Sequence, residues 1–130
     1  MRDSAPCACG SGRVYARCCA RWHRGEAAPT AEALMRSRYT AFVLLDTDYL
    51  RNTWHPRTRP PRLELDPRQR WLGLTIRRTE GGDADALWGE VEFVARFKRD
   101  GRGHRLHETS RFERIDGRWL YVDGEVSTGA

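Results

Sequence analysis

Val91-Glu92-Phe93-Val94-Ala95-Arg96-Phe97-Lys98-Arg99-Asp100-Gly101 is the stretch that decides the fold. Val91, Phe93, Ala95 and Phe97 fall on one face, and Glu90, Glu92, Val94 and Arg96 on the other. Period two is the signature of a strand with one face buried. Asp100-Gly101 then supplies the dipeptide favoured in tight hairpins. The same logic extends in both directions. Downstream, a strand is expected over Arg105–Arg114, a second hairpin at Asp116-Gly117, and a last strand over Arg118–Asp123. Upstream, Leu72, Leu74 and Ile76 alternate with Trp71, Gly73 and Thr75, and Gly81-Gly82-Asp83 marks the intervening turn. The result is an antiparallel meander of four strands.

Before Trp71 the period changes. Thr30 can cap a helix with Glu32 in its first turn. Met35, Tyr39, Phe42 and Val43 then recur at helical spacing as far as Asp46. Thr47 is placed to cap a second short helix running through Trp54, and Pro56, Pro60 and Pro61 mark an irregular loop. Asp66-Pro67 can open one more helical turn. Helices followed by a meander read as α+β. The expected core is Met35, Phe42, Leu74, Phe93, Phe97, Phe112 and Leu120.

The chain has 130 residues, enough for one ordinary domain and a small appended module. Its hydrophobic fraction is 39%, and 5 Trp, 4 Tyr and 4 Phe argue against disorder throughout. No stretch approaches the roughly 20 apolar residues of a membrane span, and Met1–Cys7 has no apolar segment of the export type, so a cytoplasmic protein is expected. The net charge of +5 is unevenly spread. Arg2, Arg13, Arg17, Arg21 and Arg24 face only Asp3 within residues 1–25, so that segment carries +4 and the remainder +1.

All four cysteines lie in the same segment: Cys7, Cys9, Cys18 and Cys19. A Cys18–Cys19 disulfide would bridge adjacent Cα atoms and be strained, and the other pairings would clip a very small loop in a compartment that keeps thiols reduced. Four thiolates closing a tetrahedral shell around Zn²⁺ explain the clustering better. Gly10-Ser11-Gly12 lets the chain reverse, and a short helical turn returns Cys18 and Cys19. His23, four residues beyond Cys19, is the rival fourth ligand. A Zn(Cys)₄ centre carries −2, which Arg13, Arg17 and Arg21 lie close enough in sequence to offset.

Cys7-Ala8-Cys9-Gly10-Ser11-Gly12-Arg13-Val14-Tyr15-Ala16-Arg17-Cys18-Cys19 resembles the SEC-C motif, the zinc module at the end of the translocase motor SecA. Every fixed position of C-x-C-G-S-G-x5-C followed by C or H is met. The resemblance implies Cys7, Cys9, Cys18 and Cys19 as zinc ligands. In SecA the module helps to contact partner proteins and the ribosome. Leu34–Phe42, Thr53-Trp54-His55-Pro56, Val91-Glu92-Phe93, Leu106–Phe112 and Trp119–Gly124 are similar to the YchJ family of small bacterial proteins. That resemblance implies residues 1–25 as a SEC-C module and 30–124 as a nuclear-transport-factor-2-like cone, with helices packed on a curved four-stranded antiparallel sheet.

Two functions of different class follow as expectations. One is an adaptor whose basic module, through Arg13, Arg17 and Arg21, contacts a protein or ribonucleoprotein partner. The other is a small enzyme or ligand binder with a polar pocket in the cone. Trp54, His55, Trp71, Glu92, His107, Glu108, Arg111 and Tyr121 are the polar and aromatic candidates there, with Glu92, Glu108 and Arg111 on neighbouring strands as the preferred pocket residues. Glu108 sits mid-strand on a mostly apolar face, where it needs a partner; Arg38 or Arg36 would make it a structural ion pair. No catalytic set of Ser-His-Asp type, phosphate loop or second metal set is present, so no catalytic residue is assigned.

Overall fold

The computed structural model describes residues 1–127. A single 3₁₀ turn at Tyr15–Arg17 leads into α1 (Cys19–His23), followed by α2 (Ala31–Leu44) and α3 (Thr47–Asn52). Four strands follow: β1 (Arg70–Gly81), β2 (Trp88–Arg99), β3 (Arg102–Ile115) and β4 (Arg118–Val126). They form one antiparallel sheet in the order β1-β2-β3-β4, as the period-two reading and the two Asp-Gly turns require. Asp100 and Gly101 both have positive φ (52° and 77°), as do Asp116 and Gly117 (51° and 78°). Such paired left-handed residues match the twist of the flanking strands.

α2 begins as its sequence dictates. The Thr30 side chain accepts a hydrogen bond from the Ala33 amide. The helix lies across the inward face of the sheet. Leu34, Met35 and Tyr39 meet Val91, Phe93, Ala95, Phe112 and Trp119 in one buried cluster. Its C-terminus is stopped by Leu45 in the left-handed region (φ 58°), with the Asp46 amide returning to the Ala41 carbonyl (2.8 Å). After α3 the chain runs beside β4. The Tyr121 amide donates to Thr53 O and the His55 amide to Tyr121 O, both at 2.8 Å, so this loop covers the sheet edge.

Four local expectations are corrected. Asp46, not Thr47, caps α3, because its carboxylate reaches the Tyr49 amide (3.1 Å). α3 ends at Asn52 rather than Trp54. Asp66-Pro67 makes a turn, closed by Asp66 Oδ1 accepting from the Arg68 amide (2.9 Å), and not a helical turn. Leu120 does not join the core. Phe112 pairs with Tyr121 and Arg114 with Trp119, so Trp119 and Tyr121 turn inward and Leu120 sits opposite Glu113. Trp119 is 2% exposed and is among the largest fully buried side chains.

The N-terminal segment is docked rather than tethered. Cys7, Cys9, Tyr15, Cys19 and Ala20 belong to the same buried cluster as Ala31, Leu34, Met35 and Tyr39. Arg36 of α2 donates to the Cys9 carbonyl (2.7 Å), and Arg118 of β4 to the Gly25 carbonyl (3.1 Å).

Candidate functional site

The cysteine cluster is assembled by one tight reversal and one helix start. Gly10 and Gly12 take positive φ (78° and 87°), which swings the chain back after Cys9. The 3₁₀ turn then delivers Cys18 and Cys19 to the same point. The four sulfur atoms all lie within 4.8 Å of one another. Cys9 Sγ and Cys18 Sγ are 3.5 Å apart, and Cys18 Sγ and Cys19 Sγ 4.0 Å apart. The edge of a tetrahedron of sulfurs around zinc is about 3.8 Å, from a metal–sulfur bond of roughly 2.3 Å. The donor set and its spacing therefore fit a metal ion.

The electrostatics point the same way. A hydrogen bond with Cys19, and next one with Cys9, holds the Cys7 thiol well below its ordinary range. The reciprocal bond from Cys7 pushes the Cys19 thiol up, and Cys9 is also raised. Four sulfurs this close cannot all be thiolates on their own, and a bound cation removes that conflict.

An outer layer orients the sulfurs. Ser11 Oγ lies 3.1 Å from Cys18 Sγ and accepts from the Arg13 amide (3.2 Å). Thr40 Oγ1, from α2, donates to Cys19 Sγ (3.4 Å) and lies 3.8 Å from Cys7 Sγ. Thr40 was not identifiable from the sequence: a Thr inside an amphipathic helix signals nothing until the helix is placed against the cluster. His23, the rival ligand, is engaged elsewhere. Its Nδ1 is 2.7 Å from the Tyr15 hydroxyl and its Nε2 2.8 Å from Ser37 O.

Arg13, Arg17 and Arg21 line a groove that opens beside Cys18 and is closed on its other side by Arg36 and Glu32. All three are exposed. Arg21 pairs with Glu26 (2.9 Å) and stacks over Trp22 (4.7 Å to the ring centre). Among the described residues Arg13 and Arg17 have no carboxylate within ion-pair distance.

A second concavity lies between α2 and the inward face of the sheet. It has a volume of about 340 Å³. Tyr39, Phe42, Trp71, Phe93 and Leu106 supply its apolar wall; Arg38, Trp54, Glu108, Ser110 and Tyr121 are part of its polar lining, together with Glu64, Asp66, Gln69 and Arg99. The three preferred pocket residues do not converge there. Glu108 lines the cleft and accepts from Ser110 Oγ (2.8 Å). Glu92 lies on the opposite face of the sheet, because Phe93, not Glu92, pairs with Glu108. It is held by His107 Nε2 (2.6 Å) and Arg78 (3.3 Å), and His107, followed by Arg78, keeps its carboxyl below the ordinary range. Arg111 also faces outward, in an exposed pair with Asp123 (2.7 Å). The expected Glu108–Arg38 or Glu108–Arg36 ion pair is not formed: Arg36 takes Glu32 (2.9 Å), and Arg38 donates to Leu50 O and Thr53 Oγ1.

His55 is a structural residue. The Arg57 amide donates to its Nδ1 (3.0 Å), which leaves Nε2 as the donor toward Glu113 (3.2 Å). Trp54, Trp71 and Tyr121 do reach the cleft, and His107 does not. Among the described residues no helix is long and apolar enough to cross a membrane.

Comparison with known proteins agrees with this architecture. The family model "YchJ, middle NTF2-like domain" matches residues 30–124, and the SEC-C motif model matches residues 4–21. A UPF0225 protein of Streptomyces coelicolor is 59% identical over 121 residues, spanning 92% of this chain and 94% of that one. The solution structure of a SEC-C motif containing protein from Rhodopseudomonas palustris superposes with a TM-score of 0.82 at 35% identity, over 95% of this chain and 99% of that one. The crystal structure of a SEC-C motif containing protein from Psychrobacter arcticus superposes at 0.76 and 28% identity, over 100% and 88%. The chain belongs to the YchJ family, and its fold is a SEC-C motif joined to a nuclear-transport-factor-2-like α+β domain.

Proposed function

We propose that this YchJ-family protein is a zinc-stabilised adaptor. Its four cysteines hold one Zn²⁺, and its basic groove captures an acidic, phosphate-bearing protein or ribonucleoprotein partner. Zinc suits an all-thiolate tetrahedral set, three of its four cysteines buried, that leaves no open coordination position, the form of a structural rather than a catalytic centre. Zn²⁺ with four thiolates sums to −2, and the cysteine segment carries net +4, so positive charge remains.

The observation that carries the reading is the pair Arg13 and Arg17. They are exposed, without a carboxylate partner among the described residues, and on the wall of a groove beside Cys18. Exposed cations in a groove attract an anionic surface, with an affinity that falls as salt rises. The partner contacts of the SEC-C module in SecA are consistent with this use.

The test is co-sedimentation of the purified protein with purified ribosomes across a salt series, beside the Arg13→Glu, Arg17→Glu double variant. The wild type should be retained at low salt and released as salt rises. The double variant should be lost from the pellet while keeping its metal content and circular dichroism. Equal retention of the two proteins, or no retention of the wild type at low salt, would overturn the ribonucleoprotein reading.

A further inference from the structure

We infer that the cleft between α2 and the inward face of the sheet is a binding site for a small organic monocarboxylate with an apolar body, its carboxylate received by Arg38. This stands apart from the metal centre and the basic groove, and it uses neither.

Arg38 is the reason. It is 3% exposed, yet no carboxylate among the described residues lies within ion-pair distance of it. A buried guanidinium normally has an anionic partner, because desolvating the charge is otherwise costly. Here it is held between two rings instead, 5.0 Å from the centre of Trp54 and 4.6 Å from that of Tyr121. Only Nη1 is spent on the protein, on Leu50 O (2.8 Å) and Thr53 Oγ1 (2.7 Å). Nε and Nη2 have no acceptor, and they are not among the sealed, unpartnered atoms, so they open to the cleft that Arg38 lines. The rings and the two acceptors fix the guanidinium in place before any ligand arrives, which lowers the ordering cost of binding.

The neighbours repeat the pattern of donors without acceptors. Trp54 Nε1 is buried and unpartnered, but it is sealed from the cleft and offers nothing to a ligand there. The Tyr121 hydroxyl makes no hydrogen bond within the described residues, and burial pushes its pKa up to about 12, so it stays a protonated donor. Burial lowers Arg38 itself only to about 10, so it is a cation at neutral pH. Arg38 and the Tyr121 hydroxyl are thus the donors open to the cleft, whose lining is otherwise mostly aromatic and aliphatic, with Glu64, Asp66 and Glu108 as acids and Arg99 as a second cation. A volume near 340 Å³ is at the small end for ligand pockets.

The anion is a carboxylate rather than a phosphate for two reasons. A guanidinium fork matches a carboxylate in bidentate fashion. Glu108, Glu64 and Asp66 also line this cleft, and their charge, with the apolar wall, opposes a doubly charged and strongly hydrated group more than a singly charged one. Glu108 is kept in position by Ser110 and by the bare Cα of Gly124, where any side chain would displace its carboxylate.

The probe is 3-phenylpropionate, with 3-phenylpropionamide as its uncharged isostere and 2-phenylethyl phosphate as the phosphate arm. Binding is followed by NMR on the full chain, through the indole N–H signals of Trp54 and Trp71. The carboxylate should give saturable shifts, and the amide should bind roughly tenfold or more weakly, the loss expected for a charge-assisted hydrogen bond. Arg38→Met should weaken the carboxylate to the level of the amide. Because Arg38 is buried and that variant risks misfolding, Leu106→Trp serves as a second one: it fills the cleft from the sheet side without touching Arg38, and should abolish binding with the remaining spectrum intact. Equal binding of carboxylate and amide would reduce the cleft to an apolar pocket and overturn the inference. So would tighter binding of the phosphate, or no saturable shift up to about 10 mM carboxylate.

Discussion

Residues 1–25 and residues 30–124 reach order by opposite routes. The sheet domain has the apolar layers of an ordinary core, with Val91, Phe93, Phe112 and Trp119 closed over by Leu34, Met35 and Tyr39. The cysteine segment has a 3₁₀ turn, a five-residue helix and little apolar surface of its own. What it has is four convergent sulfurs and a wall borrowed from α2. The difference leads to an expectation: the segment should depend on a bound metal and on the sheet domain, while the domain should need the segment only to cover one side of α2.

The largest effect expected from that contrast is metal removal. Binding at structural zinc sites is worth on the order of 10 kcal/mol in isolated modules, and under the proposed function it would be the main source of order for the segment. Chelation, or Cys9→Ser, should melt residues 1–25 and leave the strand signal in circular dichroism at 25 °C. It should also lower the Tm of the sheet domain by several degrees, since Tyr15, Ala20 and the cysteines are part of its buried cluster. Loss of the strand signal would show that the two regions form one cooperative unit. An unchanged Tm would show that the shared cluster contributes nothing.

Next in size is a test of the sheet's own core. Trp119→Ala should cost about 3–5 kcal/mol, the usual range for a fully buried Trp, while Leu120→Ala should cost well under 2 kcal/mol. Chemical denaturation of both variants measures the contrast. Metal affinity should be nearly equal in the two as long as they are folded, because neither residue hydrogen-bonds to a sulfur or to Thr40.

Those two neighbours also show what the sequence could and could not disclose. Period two, the Asp-Gly turns and the Thr30 cap are local signals, and the architecture follows from them. The ligand set is local too, because all four cysteines fall within thirteen residues. The bulge between Arg111 and Phe112 is not local. It shifts register by one residue in the last strand, and a slip of one exchanges the two faces. Trp119 lies on the hairpin side of that bulge, where the two-residue turn pairs Arg114 with Trp119 and Phe112 with Tyr121, so Trp119 and not Leu120 shares the inward face of Phe112. Glu92 and Glu108 group as pocket acids on neighbouring strands only if the strand period is set aside: period two already sets Glu92 on the face away from Phe93, and the register agrees with the period. Arg38 is legible as one of two candidate partners for Glu108, but not as a buried cation without a carboxylate beside it. Its burial requires the loop at Trp54 and the strand at Tyr121 to arrive from elsewhere in the chain.

A smaller effect tests the seam between the regions. Thr40→Val removes the hydroxyl that donates to Cys19 Sγ and keeps the shape of the side chain. Outer-layer partners of metal ligands are worth roughly 10- to 100-fold in affinity. Competition with a chromophoric chelator should therefore show metal affinity falling by about tenfold or more. Substituting Ser restores the hydroxyl and should recover most of the affinity. Recovery with Ser separates a hydrogen-bonding role from a packing one.

The smallest effect is a gain. Leu45 ends α2 in the left-handed region, where a β-carbon crowds the following carbonyl and costs about 1–2 kcal/mol. Leu45 is also 45% exposed, so its side chain returns little burial energy in exchange. Gly is the residue that helix ends prefer at this conformation, although its looser unfolded chain takes back part of the benefit. Leu45→Gly should therefore stabilise the sheet domain by roughly 0.5–1 kcal/mol, read as a rise in denaturation midpoint with an unchanged slope. The contrast between the regions adds a second requirement. Thr40 and Arg36, which serve the cysteine segment, lie one and two turns before this end of α2. The metal dissociation rate should not change. A faster rate would mean that the conformation at Leu45 sets the pitch of the helix as far back as Thr40, and that the cleft and the metal centre are mechanically joined through α2.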